Sequence, residues 1–309
     1  MLKNKCVLGI DLGGTNLRLG LVDESYHLFA FECISTRDTF AEGCDIAQKL
    51  TEHVHNYCKT YLQGEMPLAV CIGFPSTINR QRTIVVQTPN IAPIPDNFAV
   101  VEELQKRLAL PVYINRDVNF LLLFDLEDLD VADKECVAGI YFGTGIGNAI
   151  SFNGRLLLGR NGAAAELGHL PVYGNKKMCK CGNISCLETA VSGIALEEIQ
   201  KSFFPHTDIS QMFEKHTDSP EMQEFLNGMG QTVAAEVNLL DPDCVILGGG
   251  LLQMKGFPKK KLEEAIHRYA RKPYPEINLD IRYSRANQQN GVIGAGIYAF
   301  KRINGTNYL

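Results

Sequence analysis

The segment Asp11-Leu12-Gly13-Gly14-Thr15-Asn16 decides the fold, because it joins two runs with the composition of β-strands, Cys6–Leu12 and Arg18–Val22. So short a connection predicts that the two strands form a β-hairpin. A glycine-rich turn between two strands differs from the turn between a strand and a helix that defines a Rossmann or P-loop unit. The segment therefore argues against both of those folds.

The same turn has the composition of a phosphate-binding loop. Phosphate oxygens need backbone N–H donors within hydrogen-bond reach, and side chains at those positions would obstruct them. Gly13, Gly14 and Thr15 offer bare backbone and a hydroxyl, with Asn16 beside them. Asp11, at the end of the strand, is placed to hold Mg²⁺ or its water shell. For this loop taken alone, an Asp-Gly hairpin turn without a ligand remains the alternative.

Two further glycine groups follow strands in the second half of the chain. Gly143-Thr144-Gly145-Ile146-Gly147 joins the runs Cys136–Phe142 and Asn148–Phe152, which predicts a second hairpin and suggests internal duplication. Gly248-Gly249-Gly250 comes directly after an apolar run and would let a flat adenine lie against bare backbone. One glycine triplet usually only ends a helix or strand, but three such loops after three strands predict an actin-like nucleotide cleft.

Length and composition limit the possible classes of protein. The chain has 309 residues, of which 45% are hydrophobic and 21% charged, enough for two domains. Its net charge of −5 argues against a nucleic-acid partner. Because no apolar run approaches the roughly 20 residues of a membrane helix and the N-terminal residues lack a signal-peptide layout, we expect a cytoplasmic protein. The acidic run Asp125–Asp130 is expected to be a solvated helix face.

Three of the ten cysteines cluster, and they follow a histidine. His169, Cys179, Cys181 and Cys186 would complete a tetrahedral set, as expected of structural zinc, and would leave no position for a catalytic water. Gly182 lets the backbone fold back so that Cys186 can reach the ion. Reduced cysteines without a ligand remain the alternative. Four other cysteines lie in apolar runs and are expected to be buried: Cys6, Cys71, Cys136 and Cys244.

Three carboxylates are candidates for sugar chemistry. Asp117 follows the strand Pro111–Ile114 and opens a helix, where it could accept the proton of an attacking hydroxyl, although a helix N-cap is the alternative. Glu166 and Glu188 lie on either side of the cysteine segment. A carboxylate can accept hydrogen bonds from two vicinal hydroxyls, so both residues suit sugar binding, although surface glutamates are common.

Together these motifs resemble the ROK family of sugar kinases and repressors. The resemblance extends from Asp11 to Gly296, and its most specific part is Glu166-Leu167-Gly168-His169 followed by the cysteine cluster and Glu188. It implies an actin-like ATPase (ribonuclease H-like) α/β fold with two domains flanking a cleft. We expect one domain at residues 1–115 plus about 292–309, and the other at residues 116–291.

The resemblance also implies a reaction and assigns roles to the candidate residues. An ATP-dependent kinase would use Asp117 as the general base for the sugar 6-hydroxyl, and Mg²⁺ would accompany the nucleotide. Dimers or tetramers are common in the family, so we expect a homo-oligomer. The residues implied to hold ATP are Gly13, Gly14, Thr15, Gly143, Thr144 and Gly145, and those implied to line the sugar pocket are Asn90, Glu166, His169 and Glu188.

Two departures from the family pattern affect the substrate. Family glucokinases place Asn just before the base, where this chain has Arg116, and Gly-x-Pro-Gly where it has Gly73-Phe74-Pro75-Ser76. The family's Asn serves hydroxyls around C3 and C4, and Arg is longer, charged and able only to donate. The combination is similar to that of D-allose kinases, so D-allose is the expected substrate. If Arg116 faces away from the sugar in a salt bridge, glucose or another hexose remains the alternative substrate.

Other functions compete with this interpretation. A sugar-sensing repressor of the same family would carry an N-terminal helix-turn-helix, and only five residues precede the first predicted strand. A sugar-binding module without activity would not need Asp11, Thr15 and Asp117. Kinases for glucose, fructose, N-acetylmannosamine or a phosphorylated disaccharide are the remaining alternatives.

Overall fold

The computed structural model describes residues 5–41, 43–88, 91, 94–285 and 287–305. The chain forms two compact units. The first comprises Met1–Asp128, Arg155–Ala164 and Asn287–Leu309, and the second comprises Leu129–Gly154 and Ala165–Ala286.

Strands and helices alternate along most of the chain. The strands are β1 Cys6–Leu12, β2 Asn16–Asp23, β3 Leu28–Ser35, β4 Val70–Phe74, β5 Thr77–Ile78, β6 Val85–Gln87, β7 Val112–Arg116, β8 Cys136–Phe142, β9 Ile146–Phe152, β10 Arg155–Leu156, β11 Cys244–Gly248 and β12 Ile281–Tyr283. The α-helices are α1 Thr36–Thr39, α2 Ile46–Tyr61, α3 Val100–Leu108, α4 Asp117–Asp128, α5 Glu188–Val191, α6 Gly193–Phe203, α7 Met212–His216, α8 Pro220–Leu240, α9 Lys259–Tyr269 and α10 Asn290–Ile303.

The sheet of the first unit has the strand order β3-β2-β1-β4-β7. Strands β1 and β2 form the predicted antiparallel hairpin, while β1, β4 and β7 run parallel. Their register aligns Asp11 with Gly73 and Gly73 with Asn115. Because the carboxyl ends of parallel strands lie at one edge of a sheet, the residues that follow β1 and β7 lie along the same edge.

The second unit repeats this pattern. Strands β8 and β9 form the second predicted hairpin, and β8, β11 and β12 run parallel. In each unit, the first strand of the hairpin therefore lies between its antiparallel partner and a parallel strand contributed from much later in the sequence. This repeated topology supports the internal duplication suggested by the two glycine turns.

Helix α10 packs closely against α4 and against the sheet of the first unit. A Cβ atom on Gly294 would lie 1.9 Å from the carbonyl oxygen of Phe120, and one on Gly296 would lie 2.5 Å from Val22. On the sheet itself, a Cβ atom on Gly9 would lie 2.3 Å from the carbonyl oxygen of Val292. Glycine at these positions is therefore a packing requirement.

Helix α4 differs from the sequence-based expectation in two ways. It belongs to the first unit, although the boundary was expected before residue 116, because it packs against α10 and β4. Residues Arg155–Ala164 also group with the first unit. The prediction that the acidic run from Asp125 is solvated was wrong for Asp125, which is fully buried alongside Leu122 and Leu126.

The buried cysteines were predicted correctly: Cys6, Cys71, Cys136 and Cys244 all lie in the core. Among the described residues, the helices include none with the length and apolar character to cross a membrane.

Candidate functional site

The first glycine loop is held in shape by its own backbone and by Thr36. The N–H of Gly13 donates to the Asn16 carbonyl at 2.9 Å, which closes the turn. Thr36 donates its hydroxyl to the Gly13 carbonyl at 2.7 Å and its N–H to the Thr15 carbonyl at 2.9 Å. Gly14 and Thr15 remain exposed at the tip. Carbonyls engaged in this way are fixed without a ligand, which preorganises the loop for an anion.

Asp11 lies beneath this loop at the end of β1. Its carboxylate accepts a hydrogen bond from Arg18 at 3.0 Å. Burial raises the pKa of Asp11, and the neighbouring Arg18 offsets only part of that increase. An acidic group that is partly desolvated in this way favours a proton or a cation as its partner.

Asp117 is the first residue of α4 and comes directly after β7. One carboxylate oxygen accepts a hydrogen bond from the Val118 N–H at 2.7 Å, which orients the side chain. Glycine at position 73 leaves room for the start of α4, since a Cβ atom there would lie only 3.3 Å from the Asp117 Cα. Only β4 separates β1, which contains Asp11, from β7, which Asp117 follows, so the axes of these two strands are about 10 Å apart.

Arg116 is the last residue of β7, and it is buried. Its guanidinium donates to the carbonyl of Ala164 at 2.8 Å, within the first unit. The neighbouring Asn115 is also buried, and its side-chain oxygen accepts from Asn119 at 2.7 Å. Asn90, the other residue expected to contact the sugar, lies outside the described residues.

The second glycine loop is held by the start of α6, a contact that sequence reasoning missed. Gly143 donates to the Gly145 carbonyl at 2.9 Å, as the first loop does at Gly13. The N–H of Gly193 donates to the Gly143 carbonyl at 2.8 Å, and that of Ile194 to the Thr144 carbonyl at 3.2 Å. A Cβ on Gly193 would lie 2.8 Å from the Gly143 carbonyl oxygen, so only glycine permits this approach.

The second and third glycine groups meet at one cavity of about 350 Å³ within the second unit. Gly249 has a φ of +94°, and a Cβ on it would lie 2.4 Å from the Phe142 carbonyl oxygen, so the triplet packs directly on β8. A cavity of this size with polar and apolar walls suits a purine nucleoside. It is lined by Gly143, Thr144, Gly193, Leu196, Glu197, Ile209, Ser210, Gly250, Leu251 and Met254.

The predicted metal ligands come together in the second unit. One donor atom from each of His169, Cys179, Cys181 and Cys186 lies within 4.8 Å of the others. The Cys179 sulfur is 3.7 Å from Nδ1 of His169, and the sulfurs of Cys181 and Cys186 are 3.6 Å apart. Ligands about 2.3 Å from a tetrahedral ion are separated by about 3.7 Å, so the donors fit such an ion. Gly182, with a φ of +94°, forms the turn that brings them together.

Both candidate glutamates lie against this cluster. A carboxylate oxygen of Glu166 is 3.7 Å from Nε2 of His169, the ring nitrogen that faces away from Cys179. At metal sites, the ring nitrogen of a ligating histidine that does not bind the metal commonly pairs with a carboxylate, which orients the ring. Glu188 accepts a hydrogen bond from the Cys179 sulfur at 3.0 Å. Its other oxygen lies 2.6 Å from the position of a Cβ on Gly145, so it also contacts the second glycine loop.

Comparison with known proteins identifies the family. The ROK family model matches residues 7–302, so the chain belongs to the ROK family. It is 28% identical to a glucokinase of Thermotoga maritima over 97% of this chain and 98% of the relative. It is also 28% identical to an N-acetyl-D-glucosamine kinase of Yersinia pseudotuberculosis over 93% of this chain and 96% of the relative.

Solved structures agree with this assignment. The ROK hexokinase of Thermus thermophilus has a TM-score of 0.77 and 25% identity, with 97% of this chain and 99% of that chain covered. A ROK family transcriptional regulator, a homologue of the E. coli MLC protein, has a TM-score of 0.80 and 25% identity, with 96% of this chain and 78% of that chain covered. The predicted actin-like ATPase fold is confirmed.

The raised pKa of Asp11 predicts that the variant Asp11→Asn is more stable than the unmodified protein at neutral pH without Mg²⁺. The folded state binds a proton at Asp11 more tightly than the unfolded chain does. Protonation of Asp11 therefore stabilises the folded state fully below the ordinary pKa of 3.8, and this contribution is lost as the pH rises through the raised pKa. Melting temperatures measured across this range should differ most at neutral pH.

Asp45→Asn is the matched control. Asp45 accepts the backbone N–H of Gln48, which lowers its pKa, so removing its charge should not raise the melting temperature. A lower melting temperature for Asp11→Asn at neutral pH would contradict the inferred cost of the buried carboxylate.

Proposed function

We propose that this chain is an ATP-dependent hexose kinase that phosphorylates the sugar 6-hydroxyl, with D-allose as the substrate. The observation that carries the proposal is the position of Asp117, a half-buried carboxylate at the sheet edge that also holds Asp11 and the first glycine loop. The glucokinase and N-acetyl-D-glucosamine kinase relatives support a hexose-type substrate.

The nucleotide would be held by backbone and by an apolar cavity. The exposed Gly14 and Thr15 at the first loop and Thr144 at the second would donate to phosphate oxygens. The adenine would enter the cavity beside Gly250, where Leu251 and Met254 supply apolar contacts. Mg²⁺ carried by ATP neutralises phosphate charge in such reactions, and Asp11 would hold it directly or through water.

Asp117 would act as the general base. In phosphoryl transfer the attacking hydroxyl must lose its proton, and most of the catalytic effect comes from positioning and charge neutralisation. The hydrogen bond from the Val118 N–H engages one carboxylate oxygen and orients the group. Asp117 would accept the proton of the 6-hydroxyl as that oxygen attacks the terminal phosphorus and ADP leaves.

Arg116 supports D-allose over glucose. Allose differs from glucose only in the orientation of the C3 hydroxyl, and the family's Asn before the base serves hydroxyls in that region. The hydrogen bond to the Ala164 carbonyl holds the guanidinium of Arg116 at a defined position next to the base. A planar group that only donates would favour one orientation of the C3 oxygen. Glucose and N-acetylhexosamines remain the alternative substrates within this function.

A second candidate is a sugar-sensing regulator without activity. It is favoured by one observation, the TM-score of 0.80 to the transcriptional regulator. Sugar binding without ATP turnover would support this candidate.

The ion at the cysteine cluster would be zinc. Three sulfur donors and one imidazole match the ligands of structural zinc, and a set of four protein ligands leaves no open position. The ion would hold the irregular segment around residues 170–186 in shape and would fix His169, and through it Glu166, beside the sugar.

The substrate assignment is tested by a panel of aldohexoses and amino sugars in a coupled assay for ADP. With Mg·ATP we expect the highest kcat/KM for D-allose, at least about tenfold above glucose, because a mispaired buried donor costs at least that much selectivity. Equal kcat/KM for both sugars would contradict the allose assignment, and turnover of none would contradict the kinase proposal.

The base is tested by Asp117→Asn. The amide keeps the size of the side chain but cannot accept the proton, so kcat should fall by about 10²–10⁴-fold while the affinity for sugar, measured by calorimetry, changes little. Asp128→Asn, at the other end of the same helix, is the control and should retain kcat. Near-normal turnover of Asp117→Asn would assign the base to another residue.

The metal proposal is tested by metal analysis of the purified chain. We expect about one zinc per chain, its loss in Cys181→Ser, and a lower melting temperature when the ion is removed by a chelator, because binding energy at such sites stabilises the fold. Cys33→Ser changes an exposed cysteine outside the cluster and should keep the zinc. Full zinc content in Cys181→Ser would exclude this ligand set.

A further inference from the structure

Two arginine side chains of the first unit donate hydrogen bonds to the same short segment, residues 159–164. Arg82 donates through Nη1 to the carbonyl of Gly162 at 3.0 Å and to that of Ile78 at 3.1 Å. Arg116 donates to the carbonyl of Ala164, two residues beyond Gly162, at 2.8 Å. Both arginines are buried, with 4% and 8% of their surface exposed. The two guanidinium groups are therefore positioned by neighbouring carbonyls of one segment.

The burial of Arg82 is costly, which argues for a purpose beyond packing. Burial lowers the pKa of Arg82 to about 10, and the positive charge of Arg116 contributes to the lowering. Its buried Nε has no hydrogen-bond acceptor among the described residues. A buried cation that is repelled by a second positive charge and leaves a donor without an acceptor destabilises the fold relative to an apolar side chain.

The backbone conformation at Arg82 directs its side chain toward the segment at residues 159–164. Arg82 has a φ of +57°, a conformation that a non-glycine residue adopts only when its surroundings impose it. The Asn79 side chain imposes it by accepting hydrogen bonds from the N–H groups of Thr83 at 2.8 Å and Ile84 at 3.0 Å. The turn between β5 and β6 therefore holds Arg82 with its side chain directed at Gly162.

The segment fits closely on this turn. Gly162 has a φ of +82°, and a Cβ on it would lie 2.5 Å from the Ile78 carbonyl oxygen. Arg80, which is exposed, donates to the carbonyl of Gly159 at the start of the same segment. Contact with the turn thus sets the position of Gly162, and the chain from Gly162 to Ala164 is too short to move independently of it.

We propose that Arg82 is a positioning residue for sugar selection: by holding Gly162, it fixes the Ala164 carbonyl and so the direction of the Arg116 guanidinium at the C3 region of the sugar. The proposal rests on the proposed function of Arg116. Arg82 itself does not contact the substrate, so its removal should alter selectivity and sugar affinity and should leave nucleotide affinity unchanged.

The test uses Arg82→Met, which keeps an unbranched apolar side chain and removes the donors, with Gln81→Ala, a change at an exposed residue of the same turn, as the matched control. The ratio of kcat/KM for D-allose to that for glucose should fall about tenfold in Arg82→Met and change less than about threefold in Gln81→Ala. The KM for ATP should stay within about twofold in both. An unchanged ratio in folded Arg82→Met would overturn the proposal.

A double-mutant cycle separates positioning from general damage to the fold. If Arg82 acts through Arg116, Arg82→Met should have no further effect on the ratio in an Arg116→Asn background. An equal further fall in that background would show that Arg82 acts independently and would contradict the proposal. If Arg82→Met does not fold, Gly162→Ala displaces the same segment with both arginines intact and should lower the ratio in the same way.

Failure of the proposed function gives a different result. In that case the unmodified protein would release no ADP with any hexose, and the same comparison would be made on dissociation constants for the two sugars by calorimetry. A selectivity of binding that Arg82→Met leaves unchanged would then overturn the role of Arg82.

Discussion

The parallel register of β1, β4 and β7 is the constraint on which the proposed chemistry of the first unit depends. It aligns Asp11, Gly73 and Asn115 across three strands, so that the residues following β1 and β7 lie at one edge of the sheet. The proposed phosphate loop follows β1, and the proposed base follows β7. A shift of this register by one residue would turn Asp11 to the opposite face of the sheet and separate the two carboxylates. Close packing of α10 supports that sheet, since Gly296 lies against Val22 of β2 and Val292 lies against Gly9 of β1.

In both glycine hairpins, hydrogen bonds within the protein fix the conformation of the loop. In each, a glycine N–H closes the turn, and a neighbouring element then donates hydrogen bonds to the loop carbonyls: Thr36 in the first unit, and Gly193 with Ile194 in the second. A loop that is fixed in this way would lose little conformational entropy in the proposed binding of phosphate. Stability is given up elsewhere, at the buried carboxylate of Asp11 and at the buried cation of Arg82, as is common where function requires desolvated charges.

Features that depend on local sequence could be predicted, and features that depend on contacts between distant segments could not. The two hairpins and the cysteine cluster follow from spacing along the chain, and the structure contains both. The Gly193 contact with the second loop, the approach of Glu188 to Gly145 and the link from Arg82 to Gly162 join residues 43 to 80 positions apart. The periodicity of apolar residues along the sequence does not indicate such long-range pairs. The burial of Asp125 was not predicted for the same reason, since the acidic residues near it in the sequence do not indicate which elements pack against the helix.

In the proposed mechanism, Asp117 takes the proton of the sugar 6-hydroxyl. A crystal structure of the protein with hexose and a non-hydrolysable ATP analogue would test this role directly. We expect the sugar O6 to lie about 3 Å from a carboxylate oxygen of Asp117, with the terminal phosphorus on the other side of O6. A sugar bound with O6 beyond hydrogen-bond reach of Asp117, or with another hydroxyl directed at the phosphate, would contradict it.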